Sequence, residues 1–321
     1  VHRARRHRQS TVTLALLVAL VGLGGCSSAA WQSPAPAAVP PRLVVVTTTS
    51  LVSGLVREVA GDGVEVRQVV PPKADPVTYR PPATSTGVLD GADVTFHHGL
   101  GLETGLEPFL AVAVELGPVI GVADGIPADR LLPPDAVGRV PTPAVWLDPS
   151  LWSLALDEVA GVLVELNPAM TDTYLAAATR AKDRYTALSS YLDETLAMVP
   201  AGRRSVVTLE SGVAYLLASR EFAVTPLPAT VGDRWVTEDD AAAVAETVVA
   251  ADPRLVLVPV RLQGRGTEAL TAALAARGTA ATILPVTLDS LGRPGTLEAS
   301  YEAMMRGLAE AISVSLVVEN G

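Results

Sequence analysis

The chain has 321 residues, a length that suits about two domains. At 49% hydrophobic and 18% charged it is neither disordered nor of low complexity. A net charge of -10, with the densest basic residues confined to the first ten, excludes nucleic acid as the main partner, and one Cys with four His excludes a disulfide scaffold or a Cys-rich zinc site.

The first segment carries Arg3, Arg5, Arg6 and Arg8, and no acidic residue precedes Glu58. Thr11 to Leu23 is an apolar run of 13 residues, too short to span a bilayer. It ends in Leu23-Gly24-Gly25-Cys26. A basic start, a short apolar stretch and small residues before a Cys read as a lipoprotein signal over residues 1–25, with lipidation at Cys26. The other reading is an ordinary secretory signal with an incidental Cys. Either way the mature chain is expected outside the cytoplasmic membrane, and lipidation would anchor it to the extracytoplasmic face. Residues 26–41, rich in Ala, Pro and Ser, are expected to be a flexible tether.

From Arg42 onward, β-branched runs alternate with helical patterns, the signature of an α/β fold. Strands are expected at Leu43–Thr47, Val64–Val70, Asp93–Phe96, Val119–Val122 and Val145–Leu147, with helices at Leu51–Ala60 and Asp148–Leu166. This series forms a first lobe over 42–167. Asn167-Pro168 then opens an unbroken helical pattern that stops at Pro200. Tyr185, Leu188, Leu192, Leu196 and Val199 form its apolar stripe, and a helix over 168–200 would bridge two lobes. In the second lobe, 201–321, strands are expected at Ser205–Thr208, Phe222–Thr225, Leu255–Val260 and Thr282–Leu284. Helices are expected at Gly212–Arg220, from a Thr237 cap to Ala251, at Thr267–Ala276 and from Thr296 to about Val317. The expected architecture is two α/β lobes bridged by a single long helix, with the ligand cleft between the lobes, beyond the strand ends.

Several segments occur in a telling order: Ala74-Asp75-Pro76-Val77-Thr78-Tyr79, Ala92-Asp93, Gly99-Leu100-Gly101-Leu102-Glu103, and Val145-Trp146-Leu147-Asp148-Pro149. After the long helix come Val206-Val207-Thr208-Leu209-Glu210 with Tyr215, then Leu288-Asp289, Tyr301 and Met304-Met305. In this set the chain resembles the metal-binding substrate-binding lipoproteins of ABC transporters for manganese, zinc and iron, over about residues 43–316. The resemblance implies two lobes joined by one long helix, delivery of cargo to an ABC permease and its ATPase, and no catalysis. A monomer is expected.

The resemblance also implies four metal-ligand positions, and here this chain departs from its relatives. The positions that normally hold His are Val77 and Ala144, neither of which can donate an electron pair to a cation. The third and fourth are Glu210 and Asp289, so two carboxylates remain. His98, beside the cleft by the same alignment, is a candidate third donor. One nitrogen and two carboxylates suit manganese(II) or iron(II) better than zinc(II), so any divalent metal is expected as transported cargo at a degenerate site. Against this stand structural roles: His98 as a hydrogen-bonded strand-end residue, Glu210 as the cap of a helix near Gly212, and Asp289 as turn chemistry.

Two other readings stay open. Tyr79 and Trp146 as aromatic walls, with two acids, would suit a small organic cation, although core packing also accounts for Trp146. A two-lobed interaction or adhesion lipoprotein that has lost metal binding is the third. Enzymatic readings are poor: Glu210-Ser211-Gly212 lacks the leading Gly of a nucleophile elbow, and neither Gly99-Leu100-Gly101 nor Gly264-Arg265-Gly266 completes a nucleotide loop.

Overall fold

The computed structural model describes residues 42–317 except 73, 134–141, 228–237, 261–263, 280, 293–295 and 297–298. The expectations for Cys26, the signal segment, the tether and the Thr237 cap lie outside the described residues. Among the described residues, no helix is long and apolar enough to cross a membrane.

Two four-stranded parallel sheets carry the fold. In the first, β1 (Leu43–Thr47) pairs with β2 (Val64–Gln68) and β3 (Val94–His97), and β3 pairs with β4 (Val119–Gly121), in the order β2-β1-β3-β4. In the second, β5 (Ser205–Thr208) lies between β6 (Ala223–Pro226) and β7 (Leu255–Pro259), with β8 (Thr282–Val286) at the edge. The two sheets thus share one strand order, although no sequence repeat announces it. Parallel strands covered on both faces need continuous apolar runs, and Leu-Val-Leu-Val-Pro in β7 is buried throughout.

The helices α1 (Ser50–Ala60), α2 (Glu107–Leu116) and α3 (Pro149–Leu166) belong to the first lobe. Thr49 caps α1 by accepting from the Val52 amide, and Gly61, at φ 56°, ends it. Asp148 caps α3 by accepting from the Ser150 amide at 2.8 Å, with Pro149 in the first turn, where no donor is missed.

The bridging helix α4 runs Thr171–Ala197, preceded by a 3-10 turn at Pro168–Met170. It is shorter than the pattern suggested, about 40 Å at 1.5 Å per residue, because the tight turn takes up its first three residues and the helix stops at Ala197, before Pro200. Its buried face, from Tyr174 through Tyr185, Leu188 and Leu192 to Leu196, packs on α1 and α3. It also packs on α8 (Tyr301–Val317) of the second lobe. The other helices there are α5 (Val213–Leu217), α6 (Glu238–Ala251) and α7 (Arg265–Ala276).

One apolar cluster runs from Val45 and Leu55 through Trp152, Tyr185 and Leu192 to Leu255, Tyr301 and Met305, so it crosses both lobes and the helix between them. Smaller clusters fill the far sides: Val46, Leu89, Phe109 and Ala113 in the first lobe, and Val207, Val248, Val256 and Leu270 in the second. On the bridging helix, Arg184 donates to Glu58 of α1 at 2.6 Å and to Glu302 of α8 at 2.8 Å, while Tyr185 donates to Glu58 at 2.9 Å. Burial, then repulsion from Glu302, raises the Glu58 carboxyl above its ordinary value despite these partners.

Further elements differ from the expected ones. Val145–Leu147 is a 3-10 turn, not a strand: the Leu147 amide bonds back to Ala144 and the Asp148 amide to Val145. A short buried apolar run has no period by which to tell the two apart. β2 stops at Gln68, two residues before Val70. The last helix begins at Tyr301 rather than Thr296.

Candidate functional site

The four positions implied by the resemblance sit on four connections at the carboxyl ends of the strands. The first is a turn after β2, where Asp75 accepts from the Val77 amide at 3.0 Å and its carbonyl accepts from the Tyr79 amide. The Val77 carbonyl accepts from the Gly105 amide, which ties the turn to the connection after β3. The approach is close: a Cβ on Gly105 would lie 2.3 Å from the Tyr79 carbonyl oxygen. The Val77 side chain is half-buried against the main apolar cluster.

Ala144 is buried at the start of the 3-10 turn. Its methyl group lies against Gly212 of the second lobe, where an added Cβ would come within 2.2 Å of it. Glu210 follows β5. Thr208 fixes its backbone by accepting from the Glu210 amide at 3.0 Å and donating to its carbonyl at 3.1 Å. The half-buried Glu210 carboxylate accepts from the Gly212 amide at 3.4 Å, but Gly212 is itself the cap residue of the short helix that follows and no side chain caps that helix. The carboxylate also lies beside the Ala144 contact, 3.5 Å from where a Gly212 Cβ would stand. Asp289 follows β8 and lines a small cleft with Thr49, Ser50, Gln68, Pro76 and Ser290. The structure therefore brings Glu210 and Ala144 together around Gly212, and places Asp289 beside the turn that carries Val77.

His98 does not join them. Its ring is fully buried, stacked on Trp152 with centroids 5.6 Å apart and edge-on to Trp146 at 5.0 Å. Nε2 donates to the Pro143 carbonyl at 2.6 Å, which leaves Nδ1 enclosed without a hydrogen-bond partner. Burial lowers its pKa, outweighing the attraction of Glu103. Among the described residues, no three His, Cys, Asp or Glu side chains form a group that could hold a metal ion. The suggested trio of His98, Glu210 and Asp289 is thus corrected to two carboxylates and a core imidazole.

Trp146 is likewise a core residue. Its indole N–H donates to the Leu288 carbonyl at 2.6 Å and its own carbonyl accepts from Tyr301 at 2.6 Å, so it is no open cleft wall. Tyr79 is half-buried on its turn.

Sequence reasoning quoted Glu103 without giving it a role. Its carboxylate, 3% exposed, accepts from Thr48 at 2.7 Å, from the His98 amide at 2.6 Å and from the Gly99 amide at 3.3 Å. The His97 ring lies 3.7 Å away. Burial raises its pKa, but the His97 ring, His98 and the His98 amide outweigh burial, and the net shift is downward. Glu103 thereby locks the connection after β1 to that after β3. The available signal was a lone acid following Gly99 and Gly101, whose φ values of 87° and 73° mark a tight turn.

Comparison with known proteins places this geometry. Residues 45–314 match the family model described as "ZnuA: Zinc-uptake complex component A periplasmic". The manganese-binding lipoprotein MntA of Bacillus subtilis is 26% identical over 94% of this chain and 97% of its own. The zinc-binding protein TroA of Treponema pallidum is 25% identical over 87% of this chain and 91% of its own. The solved structure of periplasmic TroA superposes with a TM-score of 0.79 at 24% identity, covering 87% of this chain and all of that one. With two parallel-sheet lobes, a bridging helix and a match over most of its length, the chain belongs to the ZnuA family of metal-binding, substrate-binding proteins of ABC transporters.

Proposed function

We propose that this protein is the extracytoplasmic receptor of an ABC importer, that its cargo is a divalent metal ion, and that manganese(II) or iron(II) is preferred over zinc(II). It is anchored by lipid at Cys26, acts as a monomer and hands its cargo to a permease driven by an ATPase. The carrying observation is the donor chemistry at the four family positions. Glu210 and Asp289 offer oxygen, while Val77 and Ala144 offer nothing, and oxygen donors suit hard ions. Zinc sites usually draw on His and Cys, so zinc loses most. The organic-cation reading is weakened because Trp146 is committed to Leu288 and Tyr301.

Titration calorimetry on the metal-stripped protein tests this. Manganese(II) is expected to bind, zinc(II) only at about micromolar Kd or weaker, and Glu210→Ala or Asp289→Ala to abolish binding. Nanomolar zinc binding would overturn the degenerate site. No binding of any divalent ion would leave a two-lobed interaction protein as the better reading.

A further inference from the structure

The two family positions that have lost their imidazoles, Val77 and Ala144, are not equivalent. Ala144 is 1% exposed, and its methyl group lies 2.2 Å from where a Cβ on Gly212 would stand, so this contact fills its side of the seam. Val77 is half-buried, and Pro76 beside it lines the cleft that holds Asp289. That cleft encloses about 10 Å³, the room that one water-sized particle takes up, so it suits a single ion rather than an organic cation.

The neutral oxygens around this cleft differ in their commitments. Gln68 is engaged at both ends: its Oε1 accepts from Ser53 at 3.1 Å and its Nε2 donates to the Val70 carbonyl at 2.6 Å. Thr49 is buried and serves its own helix by accepting from the Val52 amide at 3.3 Å. Ser50 is half-buried, and its Oγ accepts from the Leu291 amide at 2.9 Å, two residues beyond Asp289. A hydroxyl oxygen carries two lone pairs, so one amide leaves the second for another partner. The Leu291 side chain rests on the same helix, its Cδ1 2.8 Å from where a Cβ on Gly54 would stand. Both contacts hold the Ser50 hydroxyl beside the Asp289 segment.

We propose that Ser50 is a specificity-determining ligand: its hydroxyl oxygen joins Glu210 and Asp289 on the cargo ion in place of the imidazole lost at Val77, while the Ala144 side contributes nothing and water completes the shell. Oxygen donors with water suit manganese(II), whereas zinc(II) is held best by nitrogen and sulphur. The inference deepens the proposed function and rests on it.

Exchanging that oxygen for sulphur tests this in the full chain, purified in detergent, with zinc(II) and cobalt(II) as probes and wild-type protein as the blank. Ser50→Cys nearly keeps the side chain's size and is expected to raise zinc affinity about tenfold or more, since thiolate is a preferred zinc donor. It is also expected to give a sulphur-to-cobalt charge-transfer band that saturates at one cobalt(II) per protein. Ala144→Cys is expected to give neither. A Ser50 that only braces the Leu291 amide predicts weaker binding of every metal and no band. Cobalt(II) bound by Ser50→Cys without the band, or an equal band from Ala144→Cys, would overturn the proposal. Should Ser50→Cys fail to fold, Ser50→Ala decides it: manganese(II) affinity within about twofold of wild type removes Ser50 from the ligand set. Wild-type protein that binds no divalent ion overturns the proposed function and this ligand with it. Wild-type binding beside a bandless Ser50→Cys overturns the ligand alone.

Discussion

Glu103 and Glu210 are both carboxylates on connections at the carboxyl ends of sheet strands, one in each lobe. Their surroundings give them opposite duties. Glu103 is sealed from solvent and its oxygens are met by Thr48 and two backbone amides. Glu210 is half-buried, accepts from the Gly212 amide and faces the seam between the lobes. A carboxylate surrounded by internal donors holds its own lobe together, whereas under the proposed function the one at the seam is the one that meets cargo. Chemical identity alone does not separate the two; partners do.

The sharpest way to break this comparison is to delete both groups. Glu103→Ala strands three donors in the interior and is expected to cost about 3 kcal/mol or more, read from urea midpoints at constant slope. A loss below about 1 kcal/mol would show that Glu103 does not brace its lobe.

Next in size is the acid dependence. The folded pKa of Glu103 lies below its ordinary value of 4.5, so its stabilisation is fully present above pH 4.5 and is lost as pH falls through the lowered value. Glu103→Gln should therefore flatten the acid limb of a stability–pH curve, and an unchanged limb would contradict the lowered pKa.

A smaller effect of the same sign comes from His98. Its pKa is lowered from 6.5, so its contribution is present above pH 6.5 and fades as pH falls toward the lowered value. His98→Phe should remove this component and leave manganese affinity within about twofold, or about 0.4 kcal/mol. A tenfold loss of affinity would return His98 to the ligand set.

Smallest on stability is Glu210→Gln, expected within about 0.5 kcal/mol of wild type yet without manganese binding by calorimetry. A large stability loss would place Glu210 in the same class as Glu103.

The architecture was legible in the sequence because its signals are periodic. Alternating β-branched runs and helical stripes produced both sheets, and Asn167-Pro168 and Pro200 bounded the bridging helix to within three residues. Val145–Leu147 was misread because three buried apolar residues fit a strand or a turn equally well. The positions of Glu210 and Asp289 on strand-end connections were legible from ordered motifs, but His98 was offered as a ligand because sequence gives its chain position and not the Trp146–Trp152 pile around its ring. Gly212 drew no attention as a contact, since its meaning lies in Ala144, 68 positions earlier in the chain.

The apolar cluster that crosses both lobes has a calorimetric consequence. A chain with two sheets invites the expectation of two melting events, one per lobe. With Trp152, Tyr185, Leu192, Tyr301 and Met305 in one connected interior, neither lobe can melt without exposing the other's packing face. Heat should then be absorbed in a single peak, with van't Hoff and calorimetric enthalpies equal. Architecturally the molecule is bipartite; thermodynamically it is one unit.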